Sequence, residues 1–422
     1  MEFNIKNVCK VNNADIVVNG ITVISGYNDT GKTTVLKSLY AFLKTFGNKL
    51  KNIEDERWKS VYNNILNKQL THVDEQQYFM NVPFEILTVL CDTLKKKVKN
   101  VENLNYEVFK NIYLQCCKDY KEDKYFDTNY KKEIPINDNI IKGLYIGIDE
   151  IIKRQPKEYF NYIAKKNLTC VFGTDIGNKI NSNDSFISSN QGNSIHEISF
   201  NMDFTDAVGD GMNIKNIVYI ETKNILDDYR NNKLIFEKSN DINKYLVAET
   251  YMDVFETYNE IEKNKQMLNE IFMDVLHGRL QKNNNRLQYL DMNTDKVYNF
   301  NNIASGMKTL LILQRLVENG TLSDGSWLLI DEPESNLHPE WHIKMAEVLI
   351  LMKKQMNINI VVSSHSAYFI RALEVKLASY NMKKYGNFYL MQQTNNIMYD
   401  AIDVTDNTEM IYKQLYRPLE EL

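Results

Sequence analysis

Alternating apolar residues open the chain: Phe3, Ile5 and Val8, then Ala14, Ile16 and Val18, with Asn12-Asn13 between them. A period of two predicts strands buried on one face. Asn19-Gly20 marks a further turn into Ile21-Thr22-Val23-Ile24, a β-branched run that reads as a buried strand. The period then lengthens, because Val35, Leu36, Leu39, Tyr40, Leu43 and Phe46 recur at helical spacing. Residues 1–46 thus predict two or three antiparallel strands, a loop and a helix.

Over 47–165 the chain is rich in lysine, asparagine and tyrosine, poor in glycine, and helical in spacing, as at Phe84, Leu87, Leu90 and Leu94. It reads as a mostly helical insertion. Strand-like runs return at 167–172, 197–200 and 216–221, the first two flanking a Ser/Asn/Gly-rich loop at 177–194. Over 166–240 these runs would complete the sheet begun at the N-terminus. A second helical block, assigned to 241–285, carries Val254, Tyr258, Ile261, Leu268, Ile271 and Val275 in register. It is too short for a long coiled coil and reads as a packed subdomain.

In the last segment, 286–422, strands and helices alternate. Leu287, Tyr289, Val297 and Phe300 around Asn293-Thr294 predict a hairpin, and a helix over 308–317 stops at Gly320. Strand 327–330, helix 339–352, strand 358–362 and a helix past His365 follow. Residues 388–390 and 397–404 with a helix around 411–415 read as the sheet's end and a closing helix. Such alternation implies a parallel sheet with helices against it, so the fold class is α/β with inserted helical subdomains.

The first loop carries the chemistry. Ser25-Gly26-Tyr27-Asn28-Asp29-Thr30-Gly31-Lys32-Thr33-Thr34 fits G-x-x-x-x-G-K-[ST], the phosphate-binding loop, in the strand–loop–helix setting that motif requires. There, successive backbone N–H groups and a helix N-terminus face an anion. Gly26, Asn28, Asp29, Thr30, Gly31, Lys32, Thr33 and Thr34 are therefore candidates to bind ATP. Gly26 and Gly31 permit conformations that a side chain would block. Lys32 would reach the β- and γ-phosphates, and the Thr33 hydroxyl would meet Mg²⁺.

The strand Leu328-Leu329-Ile330 delivers Asp331-Glu332 at its carboxyl end, where open α/β sheets place ligands. Asp331 would hold Mg²⁺ through water, and Glu332 would orient or deprotonate the attacking water. Capping of the following helix is the plainer alternative for these acids. Upstream, Ile303-Ala304-Ser305-Gly306-Met307-Lys308 precedes a helix, where N–H groups and the Ser305 hydroxyl offer a second anion site.

Bulk properties narrow the classes. A net charge of −5 argues against a basic nucleic-acid surface over the whole molecule, and Lys95-Lys96-Lys97 with Lys99 reads more simply as a solvated helix face. No apolar run approaches the roughly 20 residues that span a bilayer, and the N-terminus lacks a signal peptide's apolar core, so a cytoplasmic protein is expected. The five cysteines form no C-x-x-C pair, which suits a reducing compartment. His338 and His342 lie one helical turn apart, but Pro339 opens the helix and no third ligand is suitably spaced, so no zinc is assigned.

Taken together, these motifs resemble the ABC-type ATPases, the superfamily of transporter motors, SMC proteins, RecF-like proteins and the overcoming-lysogenization-defect (OLD) nucleases. Five elements match in order: the P-loop at 26–33, a signature at 304–308, the Walker B acids at 331–332, a D-loop-like Ser335-Asn336-Leu337-His338-Pro339, and a switch histidine, His365, after Ser363-Ser364. The resemblance implies two heads that sandwich nucleotide. Ser305 and Gly306 of one head would then meet the γ-phosphate held by a second copy, with Lys308 a further candidate to bind ATP, and His365 would contact the γ-phosphate or the attacking water from its own head. A nearer resemblance is to stand-alone bacterial ATPases of the AAA-15/AAA-21 type found in phage-defence operons such as Septu and PARIS. It rests on residues 19–26 and on Asp331-Glu332-Pro333-Glu334-Ser335-Asn336-Leu337-His338-Pro339-Glu340-Trp341. That likeness implies a sensor or regulator that controls a separate effector nuclease. The alternative is a RecF- or SMC-like ATPase that clamps DNA in an ATP-dependent dimer, using lysines near 95–99 and 131–132. Met307 and Lys308 depart from the transporter signature and argue against a transporter subunit. The Q-loop glutamine has no clear counterpart, and Glu221-Thr222 is the nearest candidate position.

Overall fold

The computed structural model describes residues 1–67, 82–122, 136–174, 176, 178, 183–191, 194–222, 245–246, 272, 275–283, 286–394 and 397–420. Strands β1 (Glu2–Val8) and β2 (Val11–Val17) pair as the antiparallel hairpin that the alternation predicts. Strand β3 (Ile21–Ser25) is buried along its whole length and leads through the P-loop to helix α1 (Lys32–Phe46). The chain divides into two compact units, residues 48–163 and the remainder.

The smaller unit is helical: α2 (Lys49–Asn67), α3 (Phe84–Lys97), α4 (Tyr106–Glu122), α5 (Asp138–Tyr145) and α6 (Ile148–Lys153). Arg57 of α2 is buried inside it, paired with Glu102 at 2.5 Å and lying over the Tyr159 ring. Lys95-Lys96-Lys97 close α3, and the Lys95 ammonium pairs with Asp55 at 3.1 Å. Lys131 and Lys132 lie outside the described residues.

Helix α7 (Pro156–Phe172) corrects the strand expected at 167–172. Phe160, Ile163, Ala164, Leu168 and Val171 are all buried, and steps of three and four residues between them make a helical stripe. The short apolar run at 168–172 is only the end of that stripe. Strand β4 (Ser185–Gln191) runs through the segment expected to be a loop, followed by β5 (Ser194–Phe200), β6 (Thr205–Val208) and β7 (Ile217–Glu221). The inward positions of β4 are Ser185, Ile187 and Ser189, so its alternation carries little apolar signal. The Ser185 hydroxyl donates to the Asn7 carbonyl at 2.6 Å, which satisfies it inside.

Strand β8 (Gly278–Asn283) replaces the end of the expected helical block, and it pairs with β9 (Arg286–Asp291), which pairs with β10 (Lys296–Asn299). Val254, Tyr258, Ile261, Leu268 and Ile271 of that block lie outside the described residues. The C-terminal segment follows the expected order: α8 (Ser305–Glu318), β11 (Trp327–Asp331), α9 (Pro339–Met356), β12 (Asn359–Ser364), α10 (Ala367–Ser379), β13 (Gly386–Gln393), β14 (Tyr399–Asp403) and α11 (Glu409–Glu420).

One large sheet has the order β6-β5-β4-β1-β2-β14-β13-β3-β12-β11-β7. Its half from β13 to β7 is parallel, and its other half is largely antiparallel. The parallel strands are buried on both faces, which explains their unbroken apolar runs. Ile21, Val23, Val218, Ile220, Leu328, Ile330, Ile360 and Val362 join the core built with Leu310, Leu313, Met345, Leu349, Phe369 and Leu373 of α8, α9 and α10. Helix α1 packs on β1, β7, β11 and β12. Each buried leucine or isoleucine contributes about 1.5–3 kcal/mol, so this two-sided core fixes the strand ends rigidly.

Candidate nucleotide site

Parallel register aligns one row of side chains at the carboxyl ends of the strands. Ser364 stands beside Ser25, Asp331 beside Ser363, and Asp331 again beside Glu221. The P-loop leaves β3 at this edge. Gly26 and Gly31 have φ of 150° and 93°, in the range that disfavours a side chain, and Gly31 stands immediately before α1. Asp29 also lies at positive φ and pairs with Lys10, while Tyr27 donates its hydroxyl to the Gln414 carbonyl of α11. Thr30 is buried and donates to the Tyr27 carbonyl at 2.9 Å. Lys32 is buried as well, its ammonium donating to the Tyr27 carbonyl at 2.5 Å. Asn28 is exposed on the loop, and Thr34 lies in the first turn of α1, one residue beyond Thr33.

Thr33 and Asp331, 298 residues apart in the chain, meet directly. The Thr33 hydroxyl lies 3.1 and 2.9 Å from the two carboxylate oxygens of Asp331. Ser363 donates to Asp331 too, and Thr222 donates to the Asp331 carbonyl at 2.8 Å. Burial pushes the Asp331 carboxyl up, the hydrogen bonds from Ser363 and Thr33 pull it down, and the charges of Glu332 and Glu221 raise it again. A desolvated carboxylate beside two more acids, with a hydroxyl in contact, suits a hard divalent cation of the Mg²⁺ kind. Few protein ligands are needed there, because Mg²⁺ at phosphate sites keeps waters and phosphate oxygens. Among the described residues no group of three or more His, Cys, Asp or Glu forms a separate metal cluster.

Glu332 is buried at positive φ, 52°, so its side chain leaves the strand end at an angle an extended residue would not give. Its Oε1 lies 3.1 Å from His365 Nδ1, and its Oε2 accepts from the Ser335 hydroxyl at 3.1 Å. The bond with Glu332 pushes the His365 imidazole up, burial opposes it, and the charges of Glu332 and Glu334 add to the rise. An acid held from both sides can orient a water and accept its proton.

The signature residues lie elsewhere on the same unit. Ser305 is the first residue of α8 and makes no side-chain hydrogen bond among the described residues. A Cβ on Gly306 would come within 2.5 Å of the Asn336 carbonyl oxygen, so glycine is needed for α8 to approach the turn after β11. Lys308 points inward instead: it is buried, donates to the Asn301 carbonyl at 3.1 Å and lies over the Phe300 ring. His338 caps α9, its Nδ1 accepting from the Glu340 N–H at 3.4 Å. Glu221, the candidate Q-loop position, pairs with Lys37 of α1 at 3.4 Å. Sequence reasoning assigned no role to Ser363, Ser364 or Glu334. Two serines ending a buried strand next to an acidic strand end would have signalled the first two.

The family model for the AAA ATPase domain, AAA_15, matches residues 1–370. The SMC head domain from Thermotoga maritima is similar with a TM-score of 0.39 and 9% identity, over 96% of this chain and 98% of that one. An SMC head bound to the C-terminal winged-helix domain of ScpA gives 0.43 and 9%, over 95% and 97%. A head with extended coiled coil from Pyrococcus furiosus, bound to the C-terminal domain of ScpA, gives 0.42 and 8%, over 100% and 98%. No curated protein matches the chain.

Proposed function

Because this chain belongs to the AAA_15 family of ATPase domains, we propose that it hydrolyses ATP with the residues at 26–34, 331–332 and 365, working as a pair of heads. The observation that carries this reading is the contact of Thr33 with Asp331 beside the held Glu332. Lys32 and the loop N–H groups bind and orient the triphosphate. Thr33 and Asp331 would hold Mg²⁺, which would supply positive charge beside the triphosphate. Glu332 orients the water and takes its proton, and His365 keeps Glu332 in place. Ser305 and Gly306 serve the nucleotide of a second copy, which gives a ligand to a hydroxyl that has no hydrogen-bond partner among the described residues.

Hydrolysis in turn gates a separate nuclease in anti-phage defence. This rests on the resemblance of the 331–341 phrase to the phage-defence ATPases. No described helix is long and apolar enough to cross a membrane.

Substituting Glu332→Gln tests the hydrolytic core. Nucleotide affinity should stay within about threefold while kcat falls at least about 100-fold, as expected for a group used only in the transition state. Unchanged turnover would remove Glu332 from the reaction. In cells carrying the chain with its neighbouring genes, the same variant should lose protection in a plaque assay; retained protection would point to an ATP-gated scaffold.

A further inference from the structure

Glu334 has no part in the reaction described above, yet it is the most enclosed acid of the 331–334 run. It is 4% exposed, its Oε1 accepts from the Ser364 hydroxyl at 2.5 Å, and among the described residues its Oε2 has no hydrogen-bond partner. Leaving a buried polar group unsatisfied costs stability, so an apolar residue would serve the fold better. Glu334 therefore calls for a role other than stability.

Its partner supplies one. The Ser364 hydroxyl has one proton and two acceptor positions. With the proton committed to Glu334, a lone pair accepts the Ser366 N–H at 3.0 Å. The Ser366 hydroxyl accepts the Phe369 N–H at 3.2 Å and so caps α10. His365 lies between these two serines, and its ring reaches Glu332. The turn that carries Glu334 also carries Ser335, which holds Glu332 from its other oxygen. Two arms of one turn thus converge on Glu332, one directly and one through the backbone of His365.

We propose that Glu334 is a positioning residue for hydrolysis: through Ser364 it fixes the backbone on both sides of His365 and so the placement of that ring against Glu332. The proposal rests on the hydrolytic reading above. Placement of this kind matters, since a misplacement of about 1 Å can cost on the order of 100-fold in rate.

The test is steady-state ATP hydrolysis by the full chain, for wild type, Glu334→Ala, Glu334→Gln, His365→Ala and the double alanine variant, each checked by thermal melting. Glu334→Ala should lower kcat about tenfold or more with KM within about twofold, because the loss lies in geometry rather than binding. Glu334→Gln should recover to within about threefold, since its amide oxygen accepts the same hydrogen bond. The double variant should be no slower than His365→Ala by more than about twofold, because residues acting through one another are not additive. If Glu334→Ala does not fold, Ser364→Ala takes its place in the same cycle. Wild-type turnover in the alanine variant, or losses that multiply with His365→Ala, would overturn the proposal. A wild-type protein that does not hydrolyse ATP would instead sink the functional reading, and the proposal with it.

Discussion

A carboxyl that keeps its proton near neutrality makes stability depend on pH. Burial pushes Glu334 up to about 7, against the hydrogen bond from Ser364, whereas an ordinary glutamate stands at 4.5. The folded chain therefore holds a proton that the unfolded chain releases. Its contribution is fully present below the ordinary value and is lost as pH rises through about 7. His365 has the same sign, because its folded value is raised above the ordinary 6.5, so its contribution is also lost as pH rises. Glutamine at 334 cannot ionise. Between pH 5 and 8 the melting temperature of Glu334→Gln should rise relative to wild type, by the equivalent of up to about 3 kcal/mol. A difference that stays constant with pH would show that Glu334 titrates as an ordinary acid. At this scale the sequence was legible where a motif names the residue, as for Lys32, Thr33 and Asp331. It was silent on Glu334, because the partner, Ser364, is brought to it only by the pairing of β11 with β12.

Elements were legible in proportion to how much of their period was apolar. Strands β3, β11 and β12 read directly from runs of apolar or β-branched residues, since both faces are covered. Strand β4 did not, because its inward face is two serines and one isoleucine. The C-terminal turn of α7 was mistaken for a strand because five apolar or β-branched residues in a row fit either period, and only the stripe from Phe160 onward decides. The close approach of α8 to the turn after β11 was also hidden, since glycine in a signature reads as a ligand-binding feature. The structure gives Gly306 a packing reason: backbone oxygen of Asn336 and the Leu337 side chain fill the space of a Cβ. Backbone at that distance gives way only by moving the helix. Gly306→Ala should therefore destabilise the chain by about 1–3 kcal/mol, as overpacking does, besides any effect on turnover. A melting temperature equal to that of wild type would mean that the helix and turn separate freely.

For the whole molecule the question is whether one chain holds a complete site. The P-loop, Asp331, Glu332 and His365 converge at one sheet edge, whereas Ser305 stands at the start of α8 with no side-chain hydrogen bond among the described residues. If the signature serves a second copy, arginine at 305 should block pairing but leave the first copy's own contacts to the triphosphate intact. Nucleotide affinity of Ser305→Arg should then stay within about threefold, while turnover falls at least about 100-fold and the ATP-dependent dimer disappears in light scattering. Mixing this variant with Glu332→Gln gives a sharper reading. In a two-fold pair of one copy each, one site combines intact Glu332 with intact Ser305, and the other carries both defects. A mixed pair carries the arginine at only one of its two interfaces, so activity should rise above that of either variant alone, to at most about a quarter of wild type. Recovery cannot arise from two heads that work alone. Equal loss of nucleotide binding and turnover in Ser305→Arg would place the defect inside one head, and the paired site would have to be given up.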